Sequence, residues 1–328
     1  MHAIAFALVL LLFAGGHAHA QRTALGTAGD IALPVTATAP GIVVRGEAGL
    51  DRLARHVAER APGTLRRIYA DLPGLPRPGS IEIRLVHRAR DLGAAAPPVH
   101  GAPGWAAGVA YGDAGVVVVA TRRKSDPINV DSTVAHELAH MALDAAVGRR
   151  APRWLQEGFA YLHSSDWSLA RARTLTGMAW SGNVIPLAEL DRSFPAREAA
   201  AQRAYAQSYD FVVFLAQRGR SPDPKDDGDI WPFRNFLAAL SAGDDIEHAA
   251  RYAYHAGMSE LYAEWYERLR QRYLTVPVGI FTLFVWVFAS MLLILGYIRK
   301  RRQNRERLAS WAEDETATAT AVNPEWLQ

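Results

Sequence analysis

Val134-Ala135-His136-Glu137-Leu138-Ala139-His140 decides how the rest of this chain is read. The segment around it, Val130 to Ala146, is rich in Ala, Leu, Met and Val and meets no Gly or Pro until Gly148, so it reads as a helix. Asp131 or Ser132 is expected at its N-cap, where either side chain accepts from an unpaired first-turn amide. Four residues apart on a helix, His136 and His140 project from one face. Two imidazoles so placed can grip one Zn²⁺, and Glu137 then faces the water that the ion would hold. Zinc brings the pKa of such water to about 7, and the carboxylate can take its proton. The pattern is short, and an ordinary amphipathic helix with two incidental histidines would carry it too.

Composition narrows the chemistry. The 328 residues are long enough for one or two domains with a real core, and half of them are hydrophobic. There is no cysteine, so disulfides, thiol catalysis and cysteine-held metal are excluded, and any ion must be held by His, Asp or Glu. Met1 to Ala20 reads as a secretory signal peptide, with an apolar run over 3–14 and Ala18-His19-Ala20 as a small-x-small cleavage site, although no Lys or Arg stands near Met1. His17 and His19 fall inside it and are not read as ligands.

Residues 275–298 carry no charge and are long enough to cross a bilayer, which takes about 20 apolar residues. Arg299, Lys300, Arg301, Arg302, Arg305 and Arg307 follow at once, a basic flank that places the C-terminus in the cytoplasm. Residues 299–307 alone hold a net +5 against +3 for the whole chain, leaving about −2 elsewhere, so the body is no basic nucleic-acid binder. The expected order is therefore a signal peptide (1–20), a flexible lead-in (21–40), a body (41–273), a transmembrane helix (275–298) and a cytoplasmic tail (299–328). The bias to Arg over Lys and to Ala points to a bacterial periplasm as the outer compartment.

Within the body, 41–128 is expected to bear a sheet and 129–273 to carry the H-E-x-x-H helix and a mainly helical part. Residues 41–45 read as a first strand, and Leu50 to Ala70 as two helical pieces parted at Pro62-Gly63. Ser80 to His87 alternates as a half-buried strand, and Ala106–Tyr111 and Gly115–Thr121 read as a hairpin across Gly112-Asp113-Ala114-Gly115. The Pro/Gly-rich 93–104 stretch reads as a surface loop with a solvated His100. A helix is expected from Pro152, a long one over Ala196–Gln217, an exposed loop over Ser221–Trp231, and a helical hairpin over Asp245–Tyr273 broken near Gly257. The fold class is α+β, a small mixed sheet with helices followed by a mainly helical subdomain and one C-terminal transmembrane helix.

A catalytic zinc needs a third protein ligand. The metzincin pattern would put Gly at 143 and His at 146, where the chain has Leu143 and Ala146. Glu157 fits the remaining pattern, in which a following helix returns beside the first after a turn at Gly148. With His136-Glu137-Leu138-Ala139-His140 and Pro152-Arg153-Trp154-Leu155-Gln156-Glu157-Gly158-Phe159-Ala160 both quoted, the chain resembles the gluzincin metallopeptidases, in particular the peptidase MA-like group, over roughly residues 40–272. The resemblance implies a zincin-like fold, one zinc ion held by His136, His140 and Glu157, Glu137 as general base, and a polypeptide substrate. The 204–209 and 257–265 runs are weaker parts of the same likeness.

An additional donor for the oxyanion is expected from Tyr209, with Tyr205 one turn before it as the alternative. Asp144 and Asp210 can be acceptors for a ligand imidazole or ordinary helix charges. Strand 106–111 can offer its edge to an extended peptide or be a purely structural hairpin strand. No G-x-M-x-N run precedes the helix, so an endopeptidase is expected rather than an aminopeptidase. The expected function is a membrane-anchored zinc metallopeptidase of the cell envelope, with the bilayer engaged through the C-terminal span. The alternative is a catalytically silent, zincin-shaped scaffold of the same compartment.

Overall fold

The computed structural model describes residues 31–321 apart from 103–105, 165–168, 193–197 and 220–230. The signal-peptide segment and most of the expected 221–231 loop lie outside the described residues. The chain forms two units, one ending at Leu269 and one beginning at Arg270.

The first unit opens with a mixed sheet. Its strands are β1 (Val35–Ala39), β2 (Ile42–Gly46), β3 (Ile81–Arg88), β4 (Gly108–Tyr111), β5 (Val116–Arg123) and the two-residue β6 (Asp126–Pro127). They lie in the order β1-β2-β3-β5-β4, with β6 paired to the far end of β5. β2, β3 and β5 run parallel, while β1 and β4 pair antiparallel to β2 and β5. The parallel step from β2 to β3 is bridged by helix α1 (Asp51–Tyr69). β5 begins with four buried valines, Val116 to Val119, as a strand covered on both faces requires. Val109, Tyr111, Val116, Val118 and Ala120 pack into one cluster with Leu92, Ala95 and Ala102 from the connection between β3 and β4. Alternate positions turn to the other face, where α1 and helix α2 (Val130–Val147) lie.

Three sequence expectations change here. The lead-in does not run to residue 40, because Val35–Ala39 pairs with Ile42–Gly46 across Pro40-Gly41 as a hairpin. The Leu50–Ala70 region is one helix, not two. Pro62 removes one backbone bond, yet Ala54, Val57, Ala58, Ala61 and Ile68 are buried on a single face that continues through it. Packing of that face outweighs the local cost of the proline. His100 is not solvated. Its ring meets Tyr111 edge-on at 5.1 Å, its Nε2 lies 3.1 Å from Asp113 Oδ2, and only 15% of its side chain is exposed.

The rest of the unit is helical: α3 (Arg153–His163), α4 (Leu169–Ser181), α5 (Leu187–Arg192), α6 (Glu198–Gln217), α7 (Pro232–Ala242), α8 (Ile246–Tyr254) and α9 (Met258–Arg270). The break between α8 and α9 falls at Gly257, as expected. Aromatic rings form the core of this half. Phe211 of α6 lies 5.0 Å from Trp154 of α3 and 5.7 Å from Trp265 of α9, centroid to centroid. Asp210 is buried and accepts from Trp265 Nε1 at 2.9 Å, a contact that ties α6 to α9.

The second unit is dominated by α10 (Val276–Ala321), which is continuous through the apolar stretch and the following arginines. Among the described residues it is the one helix long and apolar enough to cross a membrane. Its residues Phe281, Phe284, Trp286, Leu293 and Ile294 are exposed. An exposed apolar face of this extent marks a membrane or protein contact rather than a free surface in water. The same helix continues past residue 298 into the first part of the expected tail.

Candidate functional site

The site is built where α2 and α3 lie side by side. α2 begins at Asn129, whose side-chain oxygen accepts from the Ser132 amide at 3.1 Å. Neither Asp131 nor Ser132 is the cap. Asp131 is instead held on α1, with His56 Nε2 at 3.0 Å and Arg60 Nε at 3.4 Å. Ser132 Oγ donates to the Ser164 carbonyl at 3.0 Å. From Thr133 to Leu143 every residue of α2 is buried, so this helix crosses the interior rather than the surface.

Four charged or polar side chains are thereby taken out of water: His136, Glu137, His140 and Glu157, each at most 3% exposed. The Nε2 atoms of His136 and His140 stand 3.2 Å apart, and Glu157 Oε2 lies 3.9 and 3.8 Å from them. The structure thus brings together the three residues that the sequence singled out as ligands. Tetrahedral bonds of about 2.0–2.1 Å imply ligand atoms about 3.3 Å apart, and these separations suit one small divalent ion. The chemistry agrees. Burial, with His140 and Arg171 adding to it, pushes the His136 pKa well down; burial and then Arg153 bring that of His140 to about 3. Both imidazoles are therefore neutral, the form that ligates. His136 Nδ1 and Glu157 Oε2 are buried without a hydrogen bond. Buried carboxylates in that state are costly unless paired or coordinated. An N,N,O donor set with no thiolate fits zinc.

Glu137 lies beside the three, wholly buried between α2 and β4. Desolvation and the neighbouring Glu157 push its pKa well up, and the Ala110 amide of β4 pulls it back. β4 approaches so closely because residue 108 is Gly. A Cβ there would stand 2.8 Å from both Glu137 Oε1 and Thr133 Cγ2.

The two tyrosines occupy different surroundings. Tyr205 is buried, with its ring 5.7 Å from that of Tyr161, and burial followed by the charge on Glu157 raises its pKa. Tyr209 is half-buried under the Arg171 guanidinium, 4.3 Å from its ring centroid. Of the two aspartates, Asp210 is bound to Trp265, and Asp144 lies against Gly112 in the β4–β5 turn.

Three neighbours of the site are not among the residues expected from the sequence. Tyr161 presents its ring to that of His136 at 4.6 Å, and Arg171 caps Tyr161 at 4.8 Å. Arg153 Nε stands 3.9 Å from Glu157 Oε1. Arg153 and Tyr161 lie four residues before and after Glu157, so helical spacing alone marks them. Arg171 reaches the site from another helix and carries no such signal.

The family model described as "Peptidase MA superfamily" matches residues 71–270, from the end of α1 to the end of α9. Among curated proteins, none matches the chain.

Proposed function

The chain belongs to the Peptidase MA superfamily, and from that premise we propose that it is a gluzincin-type zinc endopeptidase, held in a membrane by α10 with its body outside the cytoplasm. The observation that carries this reading is the convergence of His136 Nε2, His140 Nε2 and Glu157 Oε2 beside the buried Glu137 carboxylate. His136, His140 and Glu157 would hold the ion. A zinc ion supplies a Lewis acid that polarises a carbonyl and makes water acidic enough to be deprotonated near neutral pH.

Everything else falls to the chain itself. Glu137, wholly buried beside the three donor atoms, takes the proton of the attacking water and hands it to the leaving amine. Tyr209, with Tyr205 as the alternative, donates to the developing oxyanion. β4 pairs with β5 on one side, and its approach to Glu137 at Gly108 makes its other edge suitable for an extended polypeptide. The apolar stretch of α10 and the arginines that follow it within the same helix support a single span with a cytoplasmic C-terminus and, with Met1–Ala20 as the export signal, a periplasmic body. The segments of this proposal are those read from the sequence, with the body beginning at β1.

The test uses the full-length chain in detergent, offered unfolded polypeptides and short peptides blocked at the amino terminus. Cleavage of both is expected, abolished by a chelator and restored by about one equivalent of Zn²⁺. Cleavage confined to peptides with a free amino terminus would point to an aminopeptidase. A zinc-loaded chain that cleaves nothing would be the silent scaffold.

A further inference from the structure

Glu157 offers two oxygens in two different directions. Oε2 faces both imidazoles, at 3.9 and 3.8 Å, whereas Oε1 faces Arg153, whose Nε is 3.9 Å away. Arg153 stands one turn before Glu157 on α3, and its side chain is 29% exposed while that of Glu157 is 3% exposed. A charge pair at this depth is weakly screened compared with one at the surface. The charge of the same guanidinium also reaches Tyr205 and His140.

We propose that Arg153 is a positioning residue, whose charge holds Oε1 of Glu157 and leaves Oε2 as the single oxygen that meets the metal. This rests on the reading of His136, His140 and Glu157 as a metal site. Partners of a metal ligand fix its orientation and tune its strength, and their loss typically costs about 10- to 100-fold in metal affinity. Without the guanidinium, both oxygens of Glu157 become available, and the carboxylate turns to coordinate through the two together.

The experiment measures metal binding, not turnover. Full-length wild type, Arg153→Met and Arg153→Lys are stripped, checked for a cooperative thermal transition, and titrated with Zn²⁺ against a competing chelator. Each is then loaded with Co²⁺, and its visible d–d bands are recorded; these weaken as the coordination number rises. Arg153→Met keeps the length of the stem and removes the charge. It is expected to bind Zn²⁺ about 10- to 100-fold more weakly and to show weaker Co²⁺ bands. Arg153→Lys returns the charge and is expected to recover most of the affinity. Should Arg153→Met not fold, Arg153→Gln takes its place in the same comparison. Zinc affinity within twofold of wild type together with unchanged Co²⁺ bands in the neutral variant overturns the proposal. So does a lysine variant as weak as the neutral one, since the charge would then not be the agent. A wild-type chain that takes up neither ion overturns the metal reading itself, a failure distinct from either of these.

Discussion

Replacing Glu137 by Gln is expected to lower the rate of peptide hydrolysis by about 10²- to 10⁴-fold, the range that a positioned general base contributes, while leaving the metal in place. The substitution changes one oxygen for an amide nitrogen in a space that has no slack. Glu137 is wholly buried, and β4 passes so close that Gly108 has no room for a methyl group. The amide is nearly isosteric, so the helix and the three convergent donor atoms are undisturbed. What is lost is the ability to take a proton from water and give it up again. Burial raises the pKa of this carboxylate, and a glutamine removes the titration altogether. The measurement is kcat on an unfolded polypeptide with metal content determined on the same samples. Full activity in a variant with normal metal content would remove Glu137 from the reaction.

The second large effect concerns a residue that touches no substrate. Gly158→Ala is expected to destabilise the body by about 1–3 kcal/mol, the usual cost of forcing an extra carbon into a packed interior. Alanine favours a helix over glycine by about 1 kcal/mol, so two terms oppose each other. At this position the steric one wins. A Cβ on Gly158 would be driven into the Ser208 carbonyl oxygen and the Val212 side chain, and the first of these is backbone that cannot swing aside. α3 must then part from α6, and Glu157 is the adjacent residue on α3. The expected readout is a lower thermal midpoint together with weakened zinc binding. A midpoint equal to or above that of the wild type would mean that the two helices have slack, and that Gly158 is not what holds Glu157 against the histidines.

Much of this arrangement is legible in the residues alone. α2 ends within one residue of the segment inferred from its composition, and the β4–β5 hairpin sits across the glycine turn that marks it. Both are dictated locally, by helix-forming residues in one case and turn residues in the other. Glu157 is also legible, because the turn between α2 and α3 leaves few places for a returning carboxylate. The failures share a physical cause. β1 is Val-Thr-Ala-Thr-Ala, too small and too polar to show a strand period, and it exists because β2 supplies its hydrogen bonds. Pro62 favours a broken helix, and the buried face of α1 overrides it. Asn129 does not stand out as a cap because nothing in the sequence tells that Asp131 is held by His56 and Arg60 on a helix about 75 residues earlier. Tyr205 and Tyr209 are one turn apart on α6, and only the neighbours brought by other helices, Arg153 for one and Arg171 for the other, tell them apart.

The central claim is that His136, His140 and Glu157 together hold one metal ion. Metal content of the purified full-length chain tests it most directly, with His140→Ala and Glu157→Ala prepared beside the wild type. One zinc per chain is expected in the wild type, with loss of most of it in either variant while the cooperative thermal transition remains. A folded wild-type chain that retains no zinc, or variants that retain as much zinc as the wild type, would contradict the account.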